Sequence, residues 1–270
     1  MRKHEAAQHS RSWNPLFDDL RARELSTYAA PVDGRLAHPL RPGVPVGDEL
    51  SRMHVELVNN VLGEGYPCVG ARSAFNRRGY RLGLYPELAG AETALAVCHD
   101  LYEFCHEFQE VGSHFVTFIA GFAGPRIESE LHYEGLIWQQ LQRMHEIDCR
   151  HFRWDPKVAD DAANSQFSFS IGGRAFFIVG LHPQASRRAR TMPRAIMVFN
   201  LHEQFDRLRE RGKFESMKQM IRARDIAFQG SINPVLEDFG RSSEARQYSG
   251  RAVPDDWACP FHRIHEDDTK

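Results

Sequence analysis

The chain has 270 residues, 42% of them apolar, and a formal net charge of −2. This is enough apolar material for a substantial core, while the mixed charge gives no electrostatic footprint for nucleic acid. No apolar run is long enough to span a bilayer, and the basic start MRKHEAAQHSRSW has no apolar segment behind it, so neither a membrane span nor a secretory leader is expected.

Five cysteines, Cys68, Cys98, Cys105, Cys149 and Cys259, form no CxxC pair. An odd set without such a pair argues against a zinc ribbon or a disulfide scaffold and for a reducing cytoplasm. Residues 1–47 are mostly polar, with Pro31, Pro39, Pro42 and Pro45 in the second half. They read as an extended arm with one short helix, Pro15 to Ser26. Residues 48–270 read as a single domain, because no long linker divides them.

From Gly47 to Val61, a stripe of Leu50, Met53, His54, Leu57, Val58 and Val61 predicts a helix. Gly63 to Pro67 breaks it. Cys68 to Ala74 reads as a first strand and Asn76 to Gly79 as a polar turn. Residues 91–110 form a second helix, apolar at Leu95, Cys98, Leu101, Tyr102, Cys105 and Phe108. His99, Glu103, His106 and Glu110 recur on another of its faces. His114 to Phe122 predicts a strand, and Glu128 to Ile147 a third helix. Gln204 to Gly212 and Phe214 to Ala227 predict two more, before an irregular tail from Gln229.

The organising stretch is Phe167 to Phe205. Residues 167–171 alternate large apolar and small polar side chains, the pattern of a half-buried strand. Gly172-Gly173 is a two-residue hairpin turn. Ala175 to Val179 is continuously apolar, as in a strand covered on both faces, and Pro183 stops it. Ala195 to Phe199 is a third run, ending at Asn200-Leu201-His202. Helices flanking a mainly antiparallel sheet of roughly four to six strands make an α+β fold. No strand is followed by GxGxxG or a P-loop pattern, so nicotinamide, flavin and nucleotide folds of those kinds are unsupported.

Together with Tyr66-Pro-Cys68, Ile221-Arg-Ala-Arg-Asp225, Gly230-Ser-Ile-Asn-Pro234, Gln247-Tyr-Ser-Gly250 and Cys259-Pro-Phe261, this stretch resembles the YqcI/YcgG family over about residues 60–262. Some members are haem-dependent guanidine N-hydroxylases, such as the arginine hydroxylase of D-cycloserine biosynthesis and the hydroxylase of the guanitoxin pathway. The resemblance implies a monooxygenase that N-hydroxylates a guanidine, L-arginine first, in a specialised, antibiotic-type biosynthesis. It implies haem b, molecular oxygen as co-substrate and, since no reductase motif is present, an external donor such as a ferredoxin or reductase. With no CxxCH in the chain, the haem would be held without covalent attachment. Two alternatives stay open: a haem-binding or haem-sensing protein without turnover, and a non-haem iron oxygenase.

Three residues compete for the haem iron. His182 comes first: an imidazole at a rigid strand end offers one nitrogen to iron while a neighbour orients the other. His202 comes second, for the same reason. Cys68 is third, because a thiolate ligand suits oxygenases that cleave O–O bonds; Cys259, also beside a proline, is expected to be structural. Arg187, Arg188 and Arg190 are the expected partners of the haem propionates. Glu203 is the first choice of carboxylate for a guanidinium, with Asp225 and Glu237 behind it. On residue types alone, the favoured reading is that each histidine caps a strand end and the arginines are solvated.

His99, Glu103 and His106 contain an ExxH, the spacing of di-iron bundles, but no second ExxH accompanies it, so a solvated polar face is expected. His145 is expected to be a satisfied core histidine. Ser168 and Ser170 either line a polar pocket or meet water. No Ser/His/Asp triad can be nominated from spacing.

Overall fold

The computed structural model describes residues 13–111, 113, 115–233 and 239–264. In chain order these form helix α1 (Leu20–Leu25), strands β1 (Ala30–Val32) and β2 (Arg35–Ala37), helices α2 (Asp48–Leu62) and α3 (Val69–Asn76), and strand β3 (Tyr80–Glu87). Helix α4 (Ala91–Glu107), strand β4 (Thr117–Gly124) and helix α5 (Glu130–Asp148) follow. The organising stretch supplies β5 (Phe169–Ile171), β6 (Arg174–Leu181) and β7 (Ile196–Leu201), with a short 3-10 turn (Arg188–Arg190) between the last two. Helices α6 (His202–Glu210), α7 (Phe214–Gln229) and α8 (Ala245–Tyr248) complete the set.

Strands β1 and β2 form a hairpin, and the other five make one sheet in the order β3-β4-β7-β6-β5. β3 and β4 run parallel, joined through α4, and the remaining neighbours are antiparallel. The fold is α+β, as the pattern of elements predicts. Gly172 and Gly173 sit at φ +61° and +71° between Ile171 and Arg174, the positive-φ pair that a tight hairpin demands. No helix among the described residues is long and apolar enough to cross a membrane.

Alternation along the strands divides the core between the two faces of the sheet. Phe118, Phe122, Phe176, Ile178, Met197 and Phe199 pack with α4 and α5. Ile119, Leu181 and Ile196 point the other way, into a smaller cluster with Leu50, Met53 and Leu57 of α2. Helix α2 comes close because Gly121 has no side chain; a Cβ there would lie 2.0 Å from Met53 Sδ.

Several expected elements are corrected. Cys68 to Ala74 is not a strand: α3 starts at Val69, with the Cys68 thiol as its cap. The segment is small and alanine-containing, with no β-branched run behind Val69, so a capped helix is the better use of it. The strand lies further on, at β3, where Gly83 and Pro86 break up the apolar pattern. The arm is also more structured than expected. Beyond α1 it adds the β1–β2 hairpin, and Ala29 bridges Leu82 through hydrogen bonds of 2.8 and 3.0 Å.

The polar face of α4 is solvated only in part, because the arm covers His99 and Glu103. Asn14 donates to Glu103 Oε1 at 2.8 Å, and Ser26 and Tyr85 both donate to Asp100. His99 and Glu103 are buried, while Trp13 stacks on exposed His106. His145 is buried in the core, and its Nε2 accepts the Ile264 N–H at 3.0 Å, as a core histidine should. Ser168 and Ser170 do not meet bulk water. Both are buried, Ser168 donating to the Phe176 carbonyl and Ser170 accepting from Asp155 N.

Candidate functional site

Side chains on the α2 face of the sheet are too few to fill the space beyond it. A cavity of about 310 Å³ remains there. Its floor includes Thr117, Ile119, Val179, Leu181, Val198 and Asn200. Leu57 and Val61 of α2 and Ala71 and Phe75 of α3 form one wall, and Phe205, Phe214, Met217 and Ile221 of α6 and α7 close over it. A largely apolar cavity with a few convergent polar groups is the usual form of a small-molecule or cofactor site.

Helix α7 is a cover rather than a core element, since Asp225 is its buried residue. Polar ties hold it. Arg187 donates to Asp225 at 2.6 Å and to the hydroxyl and carbonyl of Ser231, each at 2.8 Å. Asp225 also accepts the Asn233 N–H at 2.9 Å. Arg224 reaches the Tyr66 carbonyl at 2.9 Å, and Arg188 lies 4.5 Å over the Phe228 ring.

Cys68 lies in the cavity wall at the N-terminus of α3, where its sulfur accepts the Ala71 N–H at 3.4 Å. Burial pushes its thiol pKa up; the backbone N–H groups of Ala71 and Gly70 and the charge of Arg190 act against that. A helix N-terminus and a nearby guanidinium are the two standard means of stabilising a thiolate. Arg190 also lines the cavity, and it donates to the carbonyls of Gly180 at 3.0 Å and of Tyr248 and Gln247 at 3.4 Å. Burial lowers its own pKa. Among the described residues its charge is met by backbone dipoles, with no carboxylate in ion-pair contact, so it remains available to an anion.

His202 lies at the end of β7 and opens α6, so strand geometry fixes where its ring begins. It is buried in the cavity wall, edge-on to Phe239 at 4.5 Å. Its Nε2 is 3.5 Å from Glu244 Oε1 and its Nδ1 3.7 Å from Asp206 Oδ2.

The cavity therefore gathers Cys68, Arg187, Arg190, His202 and Asp225 from distant parts of the sequence. Three expected residues stand elsewhere. His182 follows Leu181 but turns to the opposite face, stacking on Tyr133 of α5 at a centroid distance of 4.2 Å. Burial there lowers its pKa to about 4, so the ring is neutral at physiological pH. Arg188 is exposed and donates to the Phe228 carbonyl. Glu203 is half-buried outside the cavity, 3.4 Å from Arg174 and 3.5 Å from Arg207. Glu237 lies outside the described residues.

Glu244 was not expected. It lines the cavity near the start of α8, in a tail with no clear periodicity. Its position one helical turn before Gln247, within a recognisable motif, was the available signal. At the face of α4, by contrast, no three His, Cys, Asp or Glu side chains among the described residues gather to hold a metal ion.

No curated protein and no solved structure gives a significant match to the chain. A family model does match, over residues 57–262. That span starts on the face of α2 that meets the cavity and ends within the tail that follows α8, so every residue lining the cavity falls inside it. The chain belongs to the YqcI/YcgG family.

Proposed function

We propose that the cavity binds haem b and that the protein N-hydroxylates a guanidine, with L-arginine as the favoured substrate. The observation that carries this reading is Cys68: a sulfur at a helix N-terminus, beside Arg190, in the wall of an apolar cavity. These residues fit the group. Haem needs an apolar slot, an iron ligand and cations for its propionates, and the cavity offers Cys68 or His202 for iron and Arg190 and Arg187 for anions. Arg187 already holds Asp225, so Arg190 is the stronger candidate for the anionic edge. When bound, haem supplies oxygen activation, with electrons from an external ferredoxin, reductase or chemical donor.

The chain's own residues do the rest. With iron on the sulfur, the helix N-terminus and Arg190 would favour negative charge on Cys68, against the burial that raises its thiol pKa. Phe205, Phe214, Met217 and Ile221 line the space above the sheet with apolar surface, and a less polar surrounding strengthens charge interactions within it. A guanidinium is charged at all working pH values and must meet an anion when it is buried.

One arrangement favours a second reading. Cys68 and His202 both line the same cavity. Iron held by both would have no open position, which is the property of a haem carrier or sensor. An absorption spectrum of protein from haem-supplied cells tests the first claim, by a Soret band that acid-acetone removes. Reduction under carbon monoxide separates the two readings: a band at the thiolate position means Cys68 ligation with an open site, whereas failure to bind carbon monoxide means two protein ligands. Reduced protein, oxygen and L-arginine should then give a product heavier by one oxygen atom, and no such product would remove the hydroxylase reading.

A further inference from the structure

Among the described residues, two acidic side chains line the cavity, Asp225 and Glu244. Asp225 is committed, with Arg187 at 2.6 Å and the Asn233 N–H at 2.9 Å on one of its oxygens. Glu244 is different. It is 5% exposed, its Oε1 stands 3.5 Å from His202 Nε2, and its Oε2 has no hydrogen-bond partner. A buried carboxyl oxygen without a partner is costly. Its presence in a cavity wall is explained when a ligand brings the donor.

We infer that Glu244 is the cation subsite of the cavity: its free Oε2 receives an N–H of the substrate's guanidinium, and His202 fixes the carboxyl through Oε1. A guanidinium presents several N–H donors in one plane, so one can take Oε2 while others stay free for chemistry. The choice of guanidinium over ammonium rests on the hydroxylase reading above; the need for a cationic N–H donor at Glu244 does not. Glu244 is a positioning residue for the end of the substrate that reacts. His202 then serves as its support, which leaves the iron to Cys68.

The test is calorimetric binding of L-arginine, L-lysine and L-citrulline to the purified full chain and to its E244Q and E203Q variants. Citrulline keeps the shape of arginine without the charge. Wild type should bind arginine well above citrulline. E244Q should weaken arginine roughly tenfold or more, the usual scale for a charge-assisted bond, and leave citrulline unchanged, while E203Q matches wild type. Equal affinity of wild type for arginine and citrulline, or an E244Q variant that binds arginine like wild type, overturns the assignment. If E244Q does not fold, equal affinity of wild type for arginine and citrulline still overturns the assignment. Arginine binding that depends on Glu244 in a colourless protein keeps the subsite and removes the oxygenase. Unimpaired arginine oxidation by E244Q does the reverse.

Discussion

Arg187 and Asp225 form a buried ion pair, Nη2 to Oδ2 at 2.6 Å, with side chains 10% and 9% exposed. It joins the loop after β6 to α7, the helix that covers the cavity. Removing one partner strands a charge in a dry place, which costs about 3–5 kcal/mol. Asp225→Ala should therefore lower the urea midpoint, and hydrogen exchange in α7 should rise most. The double variant Arg187→Met with Asp225→Leu should lose much less than the two single variants together. Additive losses would mean that the pair is not coupled.

Cys68 is proposed as the iron ligand, so Cys68→Ala should abolish the carbon monoxide band at the thiolate position. Cys68→Ser retains a capping oxygen for α3 and should remain as stable as wild type while losing the same band. The comparison separates the sulfur's role in ligation from its role as a cap. A thiolate-type spectrum in either variant would transfer the iron to another residue.

His182 is predicted to matter for folding rather than for colour. His182→Ala removes a ring stacked on Tyr133 and should cost about 1–3 kcal/mol while the chromophore stays. His182→Phe keeps a ring there and cannot take a proton. The folded pKa of about 4 is below the unfolded value. The unfolded chain therefore binds more protons in that window, and wild type should lose stability as pH falls from about 6.5 to about 4. The phenylalanine variant should lose less over the same range, which melting curves at several pH values would show.

Asp148 has the opposite sign. Burial raises its pKa to about 7, although the Gly172 N–H donates to it at 2.8 Å. The folded chain then holds a proton that the unfolded chain releases. The contribution of Asp148 to stability should be complete near pH 4 and fade as pH rises towards 7. Asp148→Asn keeps an acceptor for Gly172 and needs no proton. Its melting temperature relative to wild type should increase between pH 5 and pH 8, and a constant difference would count against the buried carboxyl.

One alternating run and two continuous apolar runs were legible in the organising stretch because β5, β6 and β7 are short, apolar and separated by Gly and Pro. The α4 and α5 stripes were equally plain. The segment 68–74 misled because a cysteine that caps a helix and one inside a strand look alike until the Sγ to Ala71 contact is seen. The site was half legible. Cys68, His202, Arg187 and Arg190 carry recognisable chemistry, and the fold brings them together. His182 and Glu203 stand outside the cavity for different reasons: a one-residue step along a strand reverses the side chain, so Leu181 rather than His182 meets the cavity, while Glu203 lies on α6 against Arg174 and Arg207. Glu244 had only its spacing from Gln247 to mark it in the sequence, since an unpartnered carboxyl oxygen is seen only in three dimensions.

The bridge between Ala29 and Leu82 has a consequence for solubility. β3 is the outer strand on its side of the sheet, and such strands offer free backbone groups to any neighbour. Ala29 occupies those of Leu82, and the Thr27 hydroxyl occupies both groups of Leu84. A chain begun at Asp48 would retain every residue around the cavity and still present a bare strand edge to its own copies. The arm therefore covers an edge that lies inside the stretch the family shares, although the arm itself lies upstream of it.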